Sequence, residues 1–292
     1  MPWEAVAASI ASATGSAFRI AECIEVRGGC INRGYRLAGS AAVYFVKLNR
    51  TGRRAMFEAE AEGLRAIEQT GTVRVPPPLC TGEDERHCWL VLEYLELVPG
   101  GAGTMAALGR ALAAMHRSSA ERFGWHRDNT IGATPQPNHW STDWAELWRT
   151  QRLGLQLELA ARNGYRGALQ RRGEALLTRL DALLAHDPVP SLLHGDLWGG
   201  NAAATVAGEP VLFDPACYYG DREADLAMTE LFGGFAPAFY SAYGDTWPLD
   251  AGYAVRRDLH NLYHVLNHLN LFGGGYRAQA EGMIERLLSE VR

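Results

Sequence analysis

Leu192-Leu193-His194-Gly195-Asp196-Leu197-Trp198-Gly199-Gly200-Asn201, followed by Pro210-Val211-Leu212-Phe213-Asp214, is the most informative stretch of this 292-residue chain. Its two leucines read as a short strand that delivers His194 and Asp196 into a glycine-containing loop. After Asn201 the run AAATV can extend as a strand, Ala207-Gly208-Glu209 can turn, and PVLF can return antiparallel. Asn201 lies seven residues before Gly208 and Asp214 six after it, so the hairpin would bring both side chains to its open end. An amide oxygen and a carboxylate are hard ligands, suited to a Mg²⁺ that is also held by phosphates.

The spacing Asp-x4-Asn, with a second Asp beyond a hairpin, fits the logic of phosphoryl transfer. Asp196 would accept the proton of an attacking hydroxyl, and Asn201 and Asp214 would hold the cation. The plainer reading is a loop in which Asp196 caps a turn and Asn201 adopts left-handed geometry. The chemical reading gains from the other residues such a reaction needs, which occur in the expected order.

In Val43-Tyr44-Phe45-Val46-Lys47-Leu48, alternation puts Val43, Phe45 and Lys47 on one face. A lysine there can bridge nucleotide phosphates, and the competing reading is an edge-strand lysine turned to solvent. A buried lysine needs a counter-charge. Phe57, Ala61, Leu64 and Ile67 form an inward helical stripe that includes Glu60, whereas Glu58 and Glu62 fall on the polar side, so Glu60 is the expected partner. The turn Gly28-Gly29-Cys30-Ile31-Asn32-Arg33-Gly34 lies between two expected strands, where a phosphate-covering hairpin belongs. It fits neither GxxxxGK[ST] nor GxGxxG, although glycine lets backbone amides approach phosphates closely. An ordinary hairpin turn is the alternative. Glu93 and Leu95 would offer backbone hydrogen bonds to an adenine, an assignment that rests on order along the chain.

Outward from these residues, the chain reads as an opening helix built on Trp3, Val6 and Ile10, then strands near 20–27, 35–37 and 43–48 and a helix over 53–69. Val75-Pro76-Pro77-Pro78 ends regular structure there, and residues 88–95 read as a strand buried on both faces. The glycine-rich stretch 99–103 is a candidate hinge. Beyond it helices are expected at 104–117, 141–163, 167–185, 222–232 and 253–272, with a β-rich interruption at 191–214. The expectation is an α+β, two-lobed fold: a small β-rich, ATP-binding lobe over 1–98, and a larger helical lobe over 99–292 with the catalytic loop and acceptor site.

Composition agrees with a globular protein at 47% apolar and 21% charged residues. A balance of 28 basic against 33 acidic residues, net −5, leaves no overall basic field for nucleic acid. No apolar run approaches the roughly 20 residues that span a bilayer. The small residues at the start resemble a signal peptide, but Glu4 sits where a basic segment should be. Five cysteines without a CxxC pair argue against a disulfide framework or structural zinc site and for a reducing, cytoplasmic setting.

With these residues on the page, the chain resembles the fructosamine kinases (ketosamine-3-kinases), within the protein-kinase-like and aminoglycoside-phosphotransferase-like group. GGCIN, YFVKLN, MFEAEAEGLRAI, DNTIGATPQPN, LLHGDLWGGN, DPACYYGDREADLAM and NLYHVLNHLNLFGGGY carry the resemblance, from residue 28 to 276. HGDLWGGN alone indicates only the broad group, whereas DNTIGATPQPN and DPACYYGDREADLAM point to the narrower family. The resemblance implies ATP- and Mg²⁺-dependent phosphorylation of the sugar C3 hydroxyl of a ketosamine, on a small molecule or a glycated protein. It further implies release of the amine, a repair of glycation. Lys47 and Glu60 match the phosphate-gripping pair, Asp196 the base, and Asn201 and Asp214 the metal ligands. Asp225 reads as helix-cap or loop-bracing structure, not as a chemical group. The rivals are a kinase of another small alcohol or an aminoglycoside, and a catalytically silent nucleotide-binding module.

Trp140, Trp144 and Trp148 recur at i, i+4 and i+8, which reads as core packing in preference to a sugar platform. Trp198 is the candidate for stacking on the acceptor, and Asn129 and His264 are further candidates for its pocket. His260, His264 and His268 also repeat every four residues, which invites a metal reading. No carboxylate joins them at ligand spacing, so they read as a polar helix face bordering the acceptor pocket. Cys30, in the expected phosphate loop, could link two molecules under oxidation; an unreactive packed thiol is the alternative.

Overall fold

The computed structural model describes residues 1–26 and 31–291. Strands β1 (Glu22–Val26), β2 (Arg33–Ala38), β3 (Val43–Arg50), β4 (Pro78–Glu83) and β5 (His87–Glu93) form one antiparallel sheet in the order β1-β2-β3-β5-β4. The alternation of β3 sorts its side chains between two environments. Val46 and Leu48 pack on the outer face with Tyr35, Leu37, Trp89 and Val91, and helix α1 (Trp3–Thr14) closes that face with Val6 and Ile10. Phe45 and Lys47 line the cleft on the opposite face. Helix α2 (Arg54–Gln69) packs on β4 and β5. Its stripe of Phe57, Ala61, Leu64 and Ile67 is at most 1% exposed and joins the main core with Leu90 and Leu92.

Strand β6 (Leu97–Val98) belongs to a second sheet. It pairs with β10 (Ala202–Thr205), which in turn pairs with β11 (Pro210–Leu212). The segment after α2 reaches the same hairpin, where the Leu212 amide donates to the Arg74 carbonyl at 2.9 Å. Helix α3 (Ala102–His116) packs along α9 (Pro237–Thr246), and a Cβ on Gly109 would lie 2.3 Å from the Phe239 carbonyl oxygen. Only glycine permits that approach. A short hairpin of β7 (Asn129–Ile131) and β8 (Thr134–Gln136) follows. Next come α4 (Trp144–Leu147), a π-helical turn (Trp148–Leu153) and α5 (Gly154–Arg162), then α6 (Ala168–Leu177) and α7 (Leu180–Leu183). Strand β9 (Ser191–Leu193) pairs with β12 (Tyr218–Gly220), which leads into α8 (Glu223–Leu231). Helix α10 (Tyr253–Phe272) is the spine of the lobe, packed against α5, α8 and α11 (Gly275–Glu290).

Residues 75–77 carry no regular structure, as expected, but Pro78 opens β4, an edge strand, where a missing donor is tolerated. The expected helix over 141–163 starts at Trp144, and the one over 167–185 is broken at residues 178–179. Helices α9 and α11 have no counterpart in the sequence reading. No helix of the described residues is long and apolar enough to cross a membrane.

Candidate active site

Strand β9 hands the chain to His194 and Gly195, and two features fix the loop. Gly195 has φ +81°, and a Cβ there would meet the Ala216 carbonyl oxygen at 2.2 Å. Asp225, 1% exposed on α8, accepts the His194 amide at 2.7 Å and the Gly195 amide at 2.8 Å. The Asp225 carboxylate is the end of a buried chain. Arg222 donates to the Tyr243 hydroxyl at 3.2 Å, which meets His116 Nδ1 at 2.9 Å, and His116 Nε2 donates to Asp225 at 3.2 Å. These bonds hold the Asp225 carboxyl below its ordinary range against the opposing effect of burial. His194 Nε2 donates to the Phe213 carbonyl at 3.0 Å, which leaves Nδ1 to accept the Asp196 amide at 3.3 Å.

The loop thus directs Asp196 into the cleft, half-buried. Asn201 Nδ2 donates to the Asp196 carbonyl at 2.8 Å and to its Oδ2 at 3.3 Å. The β10–β11 hairpin pairs Ala202 with Leu212, and the Phe213 amide donates to the Asn201 carbonyl at 3.1 Å. Asn201 and Asp214 therefore meet at its open end, the Asn201 amide 3.5 Å from the Asp214 carbonyl oxygen. Asp214 has φ +59° and is the non-glycine residue of the described chain with positive φ. Such strain is characteristic of functional positions. Lys47, 6% exposed, donates to Glu60 at 2.5 Å and to Asp214.

Burial drives the electrostatics. It pushes Asp196 up to about 7, with the Asp214 charge adding to the effect. Burial works against the Lys47 ammonium, but Asp214 and Glu60 outweigh it and hold the lysine above its ordinary range. Glu60 is raised by burial despite the Lys47 charge beside it. Asn201 Oδ1 and Asp214 Oδ2 have no hydrogen-bond donor among the described residues, so one neutral and one anionic oxygen remain open to a hard cation.

Lys47, Glu60, Glu93, Leu95, Asn129, Asp196, Trp198, Asn201 and Asp214 line one cavity of about 600 Å³ between the five-stranded sheet and the helical region. At its far end the Glu93 amide is already bonded to the Pro77 carbonyl at 3.0 Å, whereas no backbone hydrogen bond engages Leu95 among the described residues. Trp198 is 39% exposed, and Gly200 lets its ring fold back, since a Cβ there would sit 2.3 Å from it. Asn129 donates to the Cys217 carbonyl at 2.8 Å and accepts from Gln136 and Asn138. Behind it Arg152, fully buried on the π-helical turn, donates to Asn138 at 2.7 Å and lies 4.2 Å over the Tyr218 ring. This brace has no sequence signal, because a π-helical turn is invisible to a 3.6-residue pattern.

His264 departs from expectation. It is 5% exposed, does not line the cavity, and burial pushes its pKa down to about 3. Helix α10 packs against α5, α8 and α11, so His260 and His264 are buried and not polar surface, whereas His268 is half-buried. Trp144 and Trp148 are core as expected, whereas Trp140 precedes the helix and is 38% exposed. Gly28, Gly29 and Cys30 lie outside the described residues, and with them the expected phosphate-covering turn and Cys30-linked dimer.

A sheet-based lobe that supplies a paired lysine, facing a helical lobe that supplies a braced Asp, Asn and second Asp, defines a kinase of small molecules. More distant solved small-molecule kinases share the two-lobed fold. The family model for fructosamine kinases matches residues 2–290, and the chain belongs to that family. It is 50% identical over 289 residues to a probable ketoamine kinase of Synechocystis, covering 98% of this chain and 97% of the relative. It is 45% identical over 278 residues to the chloroplastic protein-ribulosamine 3-kinase of Arabidopsis thaliana, covering 94% and 85%. A solved structure from Haemophilus somnus, assigned as a fructosamine-3-kinase, is 28% identical with a TM-score of 0.91, covering 98% and 97%.

Proposed function

We propose that this enzyme transfers the γ-phosphoryl group of ATP to the C3 hydroxyl of ketosamines, and that it works as a cytoplasmic repair kinase for glycated amines. The observation that carries the reading is the convergence of Lys47, Asp196, Asn201 and Asp214 on one cavity, in a chain of this family. We assign the nucleotide to the side of the cavity formed by residues 1–98, with Leu95 next to the base, and the acceptor to the side formed by 99–292. Trp198 offers an aromatic face to the acceptor, and Asn129 a rigid polar edge.

In this reading Asp196 accepts the proton of the attacking hydroxyl. Its raised pKa suits a base working near neutrality, and the Asn201 amide keeps the carboxylate oriented. Lys47, held by Glu60, neutralises phosphate oxygens as charge develops on them. Asn201 and Asp214 would hold Mg²⁺, which when bound offsets phosphate charge. With Asp214 engaged by the cation, Lys47 would be available to phosphate oxygens.

The test is ADP release from MgATP with ribulosyl-lysine or fructosyl-lysine, using Asp196→Asn as the blank. Acceptor-dependent turnover that the variant lacks supports the assignment and ranks the two sugars. No turnover with either sugar, while ATP still binds, would move the acceptor to another alcohol.

A further inference from the structure

We propose that His186, His260 and Asp221, with Glu223 on the fourth side, form a zinc site in the helical lobe, separate from the cleft. None of the four lines the active-site cavity. His186 follows α7, Asp221 lies two residues before α8, Glu223 begins α8, and His260 lies mid-way along α10. His186 Nε2 lies 2.7 Å from Asp221 Oδ2, and His260 Nε2 lies 3.8 Å from the same oxygen. Ligand atoms of His186, Asp221 and Glu223 all fall within 4.8 Å of one another. Around tetrahedral zinc, bonds of about 2.0–2.1 Å separate neighbouring ligand atoms by about 3.3 Å. The separations of His186 and His260 from Asp221 Oδ2 bracket that value; His260 lies outside the 4.8 Å cluster, so metal binding would draw its ring toward His186.

The argument for a cation begins at His260. The ring is 0% exposed, and neither of its nitrogens has a hydrogen-bond partner. Trp148 packs against the ring edge-on, with centroids 4.9 Å apart, and Trp144 at 6.1 Å. A buried polar group held without a partner calls for one. His186 Nδ1 is likewise unpartnered and can carry the proton when Nε2 binds metal.

The charges point the same way. Arg256 neutralises Glu223 through a bidentate contact at 2.6 and 2.8 Å, so its own charge is already committed. Among the described residues Asp221 has no lysine or arginine partner; it accepts from His186 and, at 3.0 Å, from the Glu223 amide. The pocket therefore holds a buried carboxylate with no lysine or arginine ion pair among the described residues, beside two imidazoles. Two nitrogen donors with carboxylate oxygens select Zn²⁺ over Mg²⁺ or Ca²⁺, which take oxygen ligands. The four-residue repeat of His260, His264 and His268 is not itself the site. His260 alone takes part, and its carboxylate comes from Asp221, just before α8.

Untagged protein would be stripped with chelator, equilibrated with Zn²⁺ in excess MgADP to occupy the cleft, gel-filtered and assayed for zinc by mass spectrometry. The expected result is one zinc per chain, a melting temperature raised by several degrees, and tetrahedral visible bands on Co²⁺ substitution. All three should be lost in His186→Ala and His260→Gln and kept in Asp214→Asn. His186 is at the edge of the cluster, so His186→Ala reads binding even where His260→Gln fails to fold. Folded wild-type protein that retains no zinc, zinc that survives His186→Ala, or zinc lost on Asp214→Asn overturns the proposal.

Discussion

Asp196 combines its proposed role as base with a pKa raised chiefly by burial. Removing its carboxylate in Asp196→Asn should lower kcat by roughly 10²–10⁴ with little change in nucleotide affinity, measured by turnover and equilibrium binding. In the free enzyme its pKa is pushed up to about 7. The carboxylate is the active form, so kcat/KM should fall as pH drops through that value. A cation on Asp214 would offset one of the causes of the shift, so the acid limb of kcat should lie at lower pH than that of kcat/KM for MgATP. Profiles from pH 5.5 to 9 check both. At this scale the sequence was legible where chemistry conflicts with local pattern: Lys47 and Glu60 were visible because a charge sat on an apolar stripe. The left-handed backbone of Asp214 was not, since no local residue pattern demands it. Arg152 was hidden for another reason, because its partner Asn138 comes from a separate loop.

The elements hold these residues in place by close backbone approaches. Gly195→Ala should destabilise the fold by roughly 2 kcal/mol or more, since left-handed geometry alone costs about 1–2 kcal/mol and the Ala216 carbonyl blocks the new methyl group. Asp225→Ala strands two loop amides and His116, and breaking a buried ionic network of this kind costs about 3–5 kcal/mol. Urea unfolding with parallel activity measurements tests both variants. By contrast, Glu62 pairs with Arg127 at 3.1 Å across partly exposed side chains, so Glu62→Gln should cost under about 1 kcal/mol. The hairpin carrying Asn201 and Asp214 could be read because Gly208 marks its turn and apolar runs flank it. Strand β4 could not, because the prolines that precede it suppress the local strand signal, and pairing with β5 overrides them.

Across the whole molecule, the same hydrophobic enclosure that makes α10 a spine also neutralises its histidines. Burial pushes His260 down to about 4 and His264 to about 3. Both folded pKa values lie below the unfolded value near 6.5, so the unfolded chain binds more protons in this window. Their stabilising contribution is complete above about pH 6.5 and falls as pH drops toward 4, by up to about 1.4 kcal/mol per unit for each group. Denaturant unfolding between pH 4 and 8 should show that slope, and His264→Phe should reduce it. Two lobes and a cleft were readable from the change in periodicity near residue 100. The enclosure of α10 was not, because α11 and α9, which help bury the lobe, carry weak amphipathic patterns.

The position of Trp198 has a spectroscopic consequence. Of the eight tryptophans, Trp89, Trp144 and Trp148 are at most 3% exposed, while Trp198 and Trp140 are 39% and 38% exposed, and only Trp198 lines the cleft. A ring half in water emits at longer wavelength than one in the core, so an acceptor that covers Trp198 should shift or quench part of the intrinsic fluorescence. The other seven tryptophans would contribute a steady background. Trp198→Phe would remove the response and leave that background, giving a titration of acceptor binding that needs neither label nor turnover.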